Sequence, residues 1–221
     1  MKNTPTATIE DYLGIIYTLE RDGEEVIGAR LAEILQVSPP TVTVTLKRMV
    51  RDGWIQIDER KHICLTPAGS DAAKSVIRRH MLTEWLLSRV LHIPLSDLHD
   101  EAHRIEHSIS QQVEEQMASS MDDPEVCPHG NPLPGQEDVA QKWLPFTAFQ
   151  PGEKIIIRRI HELIEEDYDL MAYLAKHGVA PGVTAQVLNI DSRKNTFGIR
   201  IAENMFQVSY DTAEKLFADK A

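Results

Sequence analysis

Between positions 99 and 107 the chain reads HDEAHRIEH, with three histidines, three carboxylates and a single arginine in nine residues. At about 100° per residue on a helix, His99, His103, Glu106 and His107 share roughly one third of the circumference, and Ala102, Ile105 and Ile109 lie beside them. One stripe then carries imidazole nitrogens and carboxylate oxygens while its neighbour carries core. Such ligands on successive turns suit a divalent first-row metal ion, and a histidine pair spaced i,i+4 aims two donors at one point. The alternative is a solvated face with a capping histidine, the natural reading of a lone histidine and a poor one for a cluster. His103 to His107 also spell H-x-x-E-H, the inverted zinc-hydrolase pattern, in which two histidines hold zinc and the glutamate activates water. That reading requires a distal acidic ligand and a substrate cleft in a large catalytic domain.

The elements around this stretch point elsewhere. A helix over 8–21 with apolar positions Ile9, Leu13, Ile16, Tyr17 and Leu19 ends at RDGEE. GARLAEILQV forms a second short helix. SPPTVTVTLKRMVRDGW then opens with Ser38 as N-cap and proline in the first turn, and Gly53 stops the helix. Two helices across a tight turn make a helix-turn-helix, and the alternation in WIQIDERKHICLT adds a two-stranded wing whose tip carries Arg60 and Lys61. A long helix follows from Thr66 as N-cap over TPAGSDAAKSVIRRHMLTEWLLSRVL, with His80 and Glu84 four apart. Its apolar positions Val76, Ile77, Leu82, Trp85, Leu86, Val90 and Leu91 exceed what a small core needs, which implies burial against a second chain. PLSDLHDEAHRIEHSISQQVEEQMASSM reads as the next helix. The loop DDPEVCPHGNPLPGQED closes that domain, and Cys127 and His129 within it read as structural residues. Beyond it EKIIIRRI, TAQVLNID, TFGIRIA and MFQVSY read as short strands, with a helix over EEDYDLMAYLAKHG, and suggest a small, partly open barrel.

The chain has 221 residues, 42% of them hydrophobic and 26% charged, as expected of an ordinary globular protein with core to bury. Its N-terminus has no signal-type apolar run, so a cytoplasmic location with no membrane association is expected. Cys64 and Cys127 form no CxxC pair and indicate no disulfide framework. The formal net charge of −11 argues against a constitutive nucleic-acid binder. Yet Lys47, Arg48, Arg51, Arg60 and Lys61 concentrate positive charge in the helix-turn-helix, and bound divalent cations offset an acidic chain. DNA contact is expected from the start of the third helix at Ser38, Pro40, Thr41, Thr43 and Val44, with Lys47, Arg60 and Lys61 on the backbone. The short side chains favour shape readout and thymine-methyl contacts.

TIEDYLGIIYTLE, the helix-turn-helix, RRHMLTEWLL, LHDEAHRIEH and HGNPLPG occur in the order found in the diphtheria toxin repressor family of metal-dependent regulators, and the chain resembles that family over essentially its whole length. The resemblance implies a mainly α chain with small β elements, divided into a winged helix-turn-helix over 1–70, a helical dimerisation and metal-binding domain over 71–145 and an SH3-like β-barrel over 151–221. It also implies a homodimeric repressor of metal uptake, not an enzyme, that binds double-stranded operator DNA. By position, its main metal ligands would be Asp11, His80, His103, Glu106 and His107. Asp11 stands where manganese-responsive members carry aspartate and iron-responsive members methionine. His103 departs from the cysteine or glutamate seen there, and Gly14 from the glutamate that some members use for a two-metal cluster. A second site would involve His80 or its neighbour, Glu84 and His99, completed by the SH3-like domain near His161, Glu162 and Glu165. Oxygen and nitrogen donors without thiolate or thioether suit Mn²⁺, with Fe²⁺ as the alternative; Zn²⁺ or Co²⁺ would also bind in vitro, following the Irving–Williams order.

Overall fold

The computed structural model describes residues 4–191 and 193–221 and divides into two compact units, Met1–Arg79 and His80–Ala221. In the first unit, α1 (Ala7–Arg21) buries Ile9, Tyr12, Leu13, Ile16 and Leu19. α2 (Gly28–Ile34) ends three residues before the expected boundary, and a tight turn with Gln36 in the left-handed region (φ 51°) leads to α3 (Pro39–Arg51). Ser38 caps α3 by accepting the Thr41 N–H at 3.3 Å, and the prolines that follow occupy positions where no intrahelical N–H bond is lost. Val42, Leu46 and Met49, at 4-3 spacing, turn inward. β1 (Ile55–Ile57) and β2 (Ile63–Leu65) pair antiparallel as a wing. Asp58 ties the tip by accepting the N–H groups of Arg60 and His62, both at 2.8 Å. Thr66 then starts the long helix α4 (Pro67–Leu91), accepting the Gly69 N–H at 3.1 Å while donating to Gly53 O at 2.7 Å.

The second unit begins within α4. The helix expected over PLSDL…SSM is broken into a 3-10 turn at Leu95–Asp97, α5 (Leu98–His103), a second 3-10 turn at Glu106–Ser108 and α6 (Gln111–Ser120), capped by Ser110. β3 (Leu144–Pro145), β4 (Lys154–Ile160), β5 (Thr184–Asp191), β6 (Thr196–Ile201), β7 (Asn204–Ser209) and β8 (Leu216–Lys220) form one antiparallel sheet in the order β3-β8-β4-β5-β6-β7. Sequence alternation reveals the four longer strands and misses β3 and β8. Among the described residues the barrel is not closed, because β3 and β7 remain edges. α7 (Glu162–Glu165) and α8 (Tyr168–Lys176) connect β4 to β5, and α9 (Tyr210–Glu214) precedes β8.

A register shift between Ile157 and Arg159 is a bulge against β8. The extra residue keeps Ile160 in the core with Ile155 and Ile157. Arg159 is thereby buried on the opposite side, where it meets the loop that follows α6.

Candidate metal centre and nucleic-acid interface

The ligands are placed by the packing of α5. Leu98 and Ala102, four apart, are buried against Leu87 of α4 and set the rotation of the short helix. His99 and His103 each follow one of these anchors. Helical geometry stops at His103, and Ile105 (φ −110°, ψ −36°) turns the chain into the 3-10 segment. The single stripe of ligands anticipated for an unbroken helix is therefore divided: His99 joins one group, while His103, Glu106 and His107 gather in another.

In that second gathering Glu106 is the hub. Its Oε1 lies 3.1 Å from His103 Nδ1 and 3.4 Å from His107 Nε2, and its Oε2 lies 2.5 Å from His80 Nδ1. Burial would raise the carboxyl pKa, but hydrogen bonds from His103 and His80 outweigh it and bring it down to about 2. Glu106 is thus a fixed anion between imidazoles. Asp11 lies on α1, in the N-terminal unit.

The other group is built on Glu84, which is fully buried on α4. His129 Nδ1 approaches Glu84 Oε1 at 3.1 Å and His80 Nε2 approaches it at 3.4 Å, yet neither oxygen of Glu84 receives a hydrogen bond. Glu165 Oε2 lies 3.2 Å from His99 Nδ1 and 3.4 Å from His129 Nδ1. Two sets of donor atoms lie within 4.8 Å of one another here: His80, Glu84, His99 and Glu165, and Glu84, Cys127 and His129. The tautomers follow from the surroundings. A carbonyl only accepts, so the 2.9 Å contact of His129 Nε2 with Leu95 O makes Nε2 the donor and leaves Nδ1 facing the carboxylates. His80 likewise donates from Nδ1 to Glu106, which turns its Nε2 toward Glu84.

This arrangement fits a divalent cation. Buried carboxylates normally carry hydrogen bonds, and Glu84 instead faces ring nitrogens positioned as ligands. Burial disfavours charge on His129, but Glu165 and Glu84 overcome it and raise the ring's pKa to about 9. Burial acts in the same sense on His80, which Glu106 and Glu84 nevertheless hold well above the ordinary imidazole value. For Glu84, burial is outweighed by His129 and His80, and its pKa falls well below the usual carboxylate range. A cation bound there would compete with protons for these ring nitrogens. Burial, with Glu84 and Glu165, pushes the Cys127 thiol well up.

Two residues expected in this group make other contacts. His161 caps α7, its Nδ1 accepting the Leu163 N–H at 3.0 Å, and Glu162 accepts from Arg159 at 3.0 Å. Glu165, the third residue of that neighbourhood, reaches His99 and His129. His80, which the family resemblance offers to either site, contacts the group of His103 and His107 through Glu106 and presents its other nitrogen to Glu84. Cys127 and His129, read from the sequence as structural because two residues on a loop do not by themselves define a site, lie here with donor atoms close to Glu84. The signal available was their placement around Pro128 in CPHGN.

On the N-terminal unit, Ser38, Pro40, Thr41, Thr43, Val44, Lys47, Arg60 and Lys61 are all exposed, Val44 at 69%. Ser38 and Thr41 share a hydroxyl hydrogen bond of 2.8 Å, and Thr43 donates to Pro39 O at 2.9 Å. These local bonds engage the hydroxyls of Ser38, Thr41 and Thr43. Arg51 and Arg48 lie 2.7 and 3.6 Å from Asp52 and stay exposed, as do Lys47 and the wing-tip cations.

An exposed third helix with a basic wing, joined in one chain to buried clusters of imidazole and carboxylate, defines a metal-binding helix-turn-helix protein. Three family models match the chain: the iron-dependent repressor N-terminal DNA-binding domain over residues 5–63, the iron-dependent repressor metal-binding and dimerisation domain over 66–135, and the FeoA domain over 144–220. The iron-dependent repressor IdeR of Mycobacterium leprae is 36% identical over 191 residues, covering 81% of this chain and 83% of the relative. The diphtheria toxin repressor of Corynebacterium efficiens is 34% identical over 195 residues, covering 84% and 85%. The solved structure of the manganese regulator SloR superposes with a TM-score of 0.78 at 26% identity, covering 96% of this chain and 98% of that one. The chain belongs to the diphtheria toxin repressor family of metal-dependent transcriptional repressors, and it is not an enzyme. Among the described residues, no helix is long and apolar enough to cross a membrane.

Proposed function

We propose that this repressor responds to manganese and acts in the cytoplasm as a homodimer that closes operators of metal-uptake genes. The observation that carries the metal choice is the donor chemistry of the Glu106 group. Glu106, His103 and His107 supply oxygen and nitrogen with neither thiolate nor thioether, and by family correspondence Asp11 adds another carboxylate. Hard and borderline donors suit Mn²⁺ or Fe²⁺, and aspartate at position 11 favours Mn²⁺. SloR is a manganese regulator, whereas the two sequence relatives are iron-dependent or diphtheria toxin repressors, so Fe²⁺ is the competing activator.

Residues 1–70 read DNA, 71–145 dimerise and bind metal, and 151–221 form the SH3-like domain in this reading. Val90 and Leu91, 61% and 59% exposed at the end of α4, supply apolar surface for a second copy. A second metal is held by Glu84, His129 and Glu165, with His80, His99 and Cys127 around it. The metal supplies a positive centre that several anionic and imidazole ligands share, while the chain's own task is positional. Asp11 and α3 belong to the same unit, so a ligand bond to Asp11 restrains the DNA-reading helix. Paired recognition helices must match about one turn of DNA. A coupling of about 1–3 kcal/mol between metal and operator is typical of such linkage and is reciprocal.

The test is anaerobic fluorescence anisotropy of chelator-stripped protein, with DNA from upstream of its own gene and of nearby transporter genes, titrated in parallel with Mn²⁺ and Fe²⁺ at fixed salt. Binding at lower free Mn²⁺ than Fe²⁺ supports the proposal. Stronger activation by Fe²⁺ overturns the metal choice, and tight binding indifferent to metal and chelator overturns the sensor reading.

A further inference from the structure

The loop that delivers His129 carries a fully buried asparagine two residues later. Asn131 Nδ2 donates to Glu165 Oε1 at 2.6 Å and to Ile160 O at 2.8 Å, and lies 3.9 Å from Cys127 Sγ. Its Oδ1 accepts from Arg159 Nε at 2.5 Å. The amide orientation is therefore fixed, because a guanidinium only donates and a carbonyl only accepts. Oε1 of Glu165 is engaged by this amide, and Oε2 is the oxygen that faces His99 and His129.

The main chain supports the same contact. Ile160 N–H donates to His129 O at 2.8 Å, so β4 and the loop are joined on both sides of Gly130. Gly130 has φ +90°, and a Cβ there would lie 1.9 Å from Arg158 O. In HGN, the histidine faces the carboxylates, the glycine permits the backbone approach and the asparagine grips the opposing glutamate.

We propose that Asn131 is a positioning residue of the Glu84 metal group: it holds Glu165 in its ligating orientation and, through Arg159, joins that group to β4 of the C-terminal sheet. This rests on the second-metal reading above. An amide donor behind a ligating carboxylate fixes its orientation, and losing such a partner typically weakens metal binding about 10–100-fold.

The test uses the full chain with His103→Ala and His107→Ala, so that the Glu84 group is read alone, and follows Co²⁺ titration by visible absorption. Both Asn131→Ala and Asn131→Asp should weaken Co²⁺ by about 10–100-fold and move its ligand-field bands. Asn131→Asp keeps the side-chain shape and an acceptor for Arg159 but places an acceptor against Glu165. Weakening in the alanine variant alone would therefore indicate mere structural support and overturn the assignment. Unshifted bands with affinity within about twofold of the parent in both variants would do the same. If Asn131→Ala does not fold, Asn131→Asp still decides the matter by comparison with the parent. Glu84→Gln in the same background separates the two levels: undiminished Co²⁺ binding there removes the second-metal reading itself, and the role of Asn131 with it.

Discussion

His80 Nδ1 lies 2.5 Å from Glu106 Oε2, and this contact joins the two clusters of imidazoles and carboxylates through one ring. The other ring nitrogen faces Glu84 at 3.4 Å. Removing the ring takes a donor from the Glu84 group and a hydrogen bond from the buried Glu106 carboxylate. We expect His80→Ala to weaken Mn²⁺ at both groups, by about 10–100-fold each, whereas Glu84→Gln weakens only one. Titration followed by the electron paramagnetic resonance signal of free Mn²⁺ resolves the two classes. An unchanged Glu106 group in His80→Ala would show that the contact has no bearing on affinity.

Asp11→Ala should abolish metal-dependent operator binding while leaving the protein folded. Asp11 lies on α1, whose core residues Ile9, Leu13 and Ile16 remain in place, so the metal-free melting temperature should change little. Anisotropy with and without Mn²⁺, together with a thermal melt, checks both halves. Normal Mn²⁺-dependent binding by this variant would remove Asp11 from the ligand set.

The wing should contribute affinity without sequence preference. Arg60→Ala and Lys61→Gly remove one cation each, with glycine chosen at 61 because that residue has φ 67°. Each loss of a phosphate contact should reduce the slope of log K against log salt by about 0.9 and weaken specific and random DNA alike. A selective loss on the operator would instead identify a base contact.

The sequence pattern made the helix-turn-helix legible because Ser38, two prolines and Gly53 mark the limits of α3, and because Val42, Leu46 and Met49 keep one helical face. The four longer strands were equally visible as alternating runs. Periodicity failed at HDEAHRIEH, where every residue is compatible with a helix but the chain leaves it after His103. No local signal marks that break. For the second ligand group, sequence position pointed to the neighbourhood of α7, to His161 and Glu162 first with Glu165 beside them. Which of them faces His99 and His129 depends on capping by His161 and on the β4 bulge that turns Arg159 toward Asn131 and Glu162. His129 was hidden for a related reason: its partners Glu84 and Glu165 are distant in sequence and meet only after the loop has closed over β4.

Gly130 provides the sharpest test of that closure. Its φ of +90° is strained for any other residue, and an alanine Cβ would collide with Arg158 O, a backbone atom that cannot rotate away. The loop must lift, and His129 and Asn131 on either side must move with it. Strain of about 1–3 kcal/mol is expected from the backbone alone. For a chain of this length each kcal/mol lowers the melting temperature by about 2–4 °C, so Gly130→Ala should melt roughly 2–12 °C lower. Metal affinity should fall more at the Glu84 group than at the Glu106 group, since only the former draws a ligand from the loop. A differential melt with Co²⁺ present and absent measures both effects. A variant that melts lower but gains the same stabilisation from Co²⁺ as the parent would mean that the loop closes the fold without aligning His129.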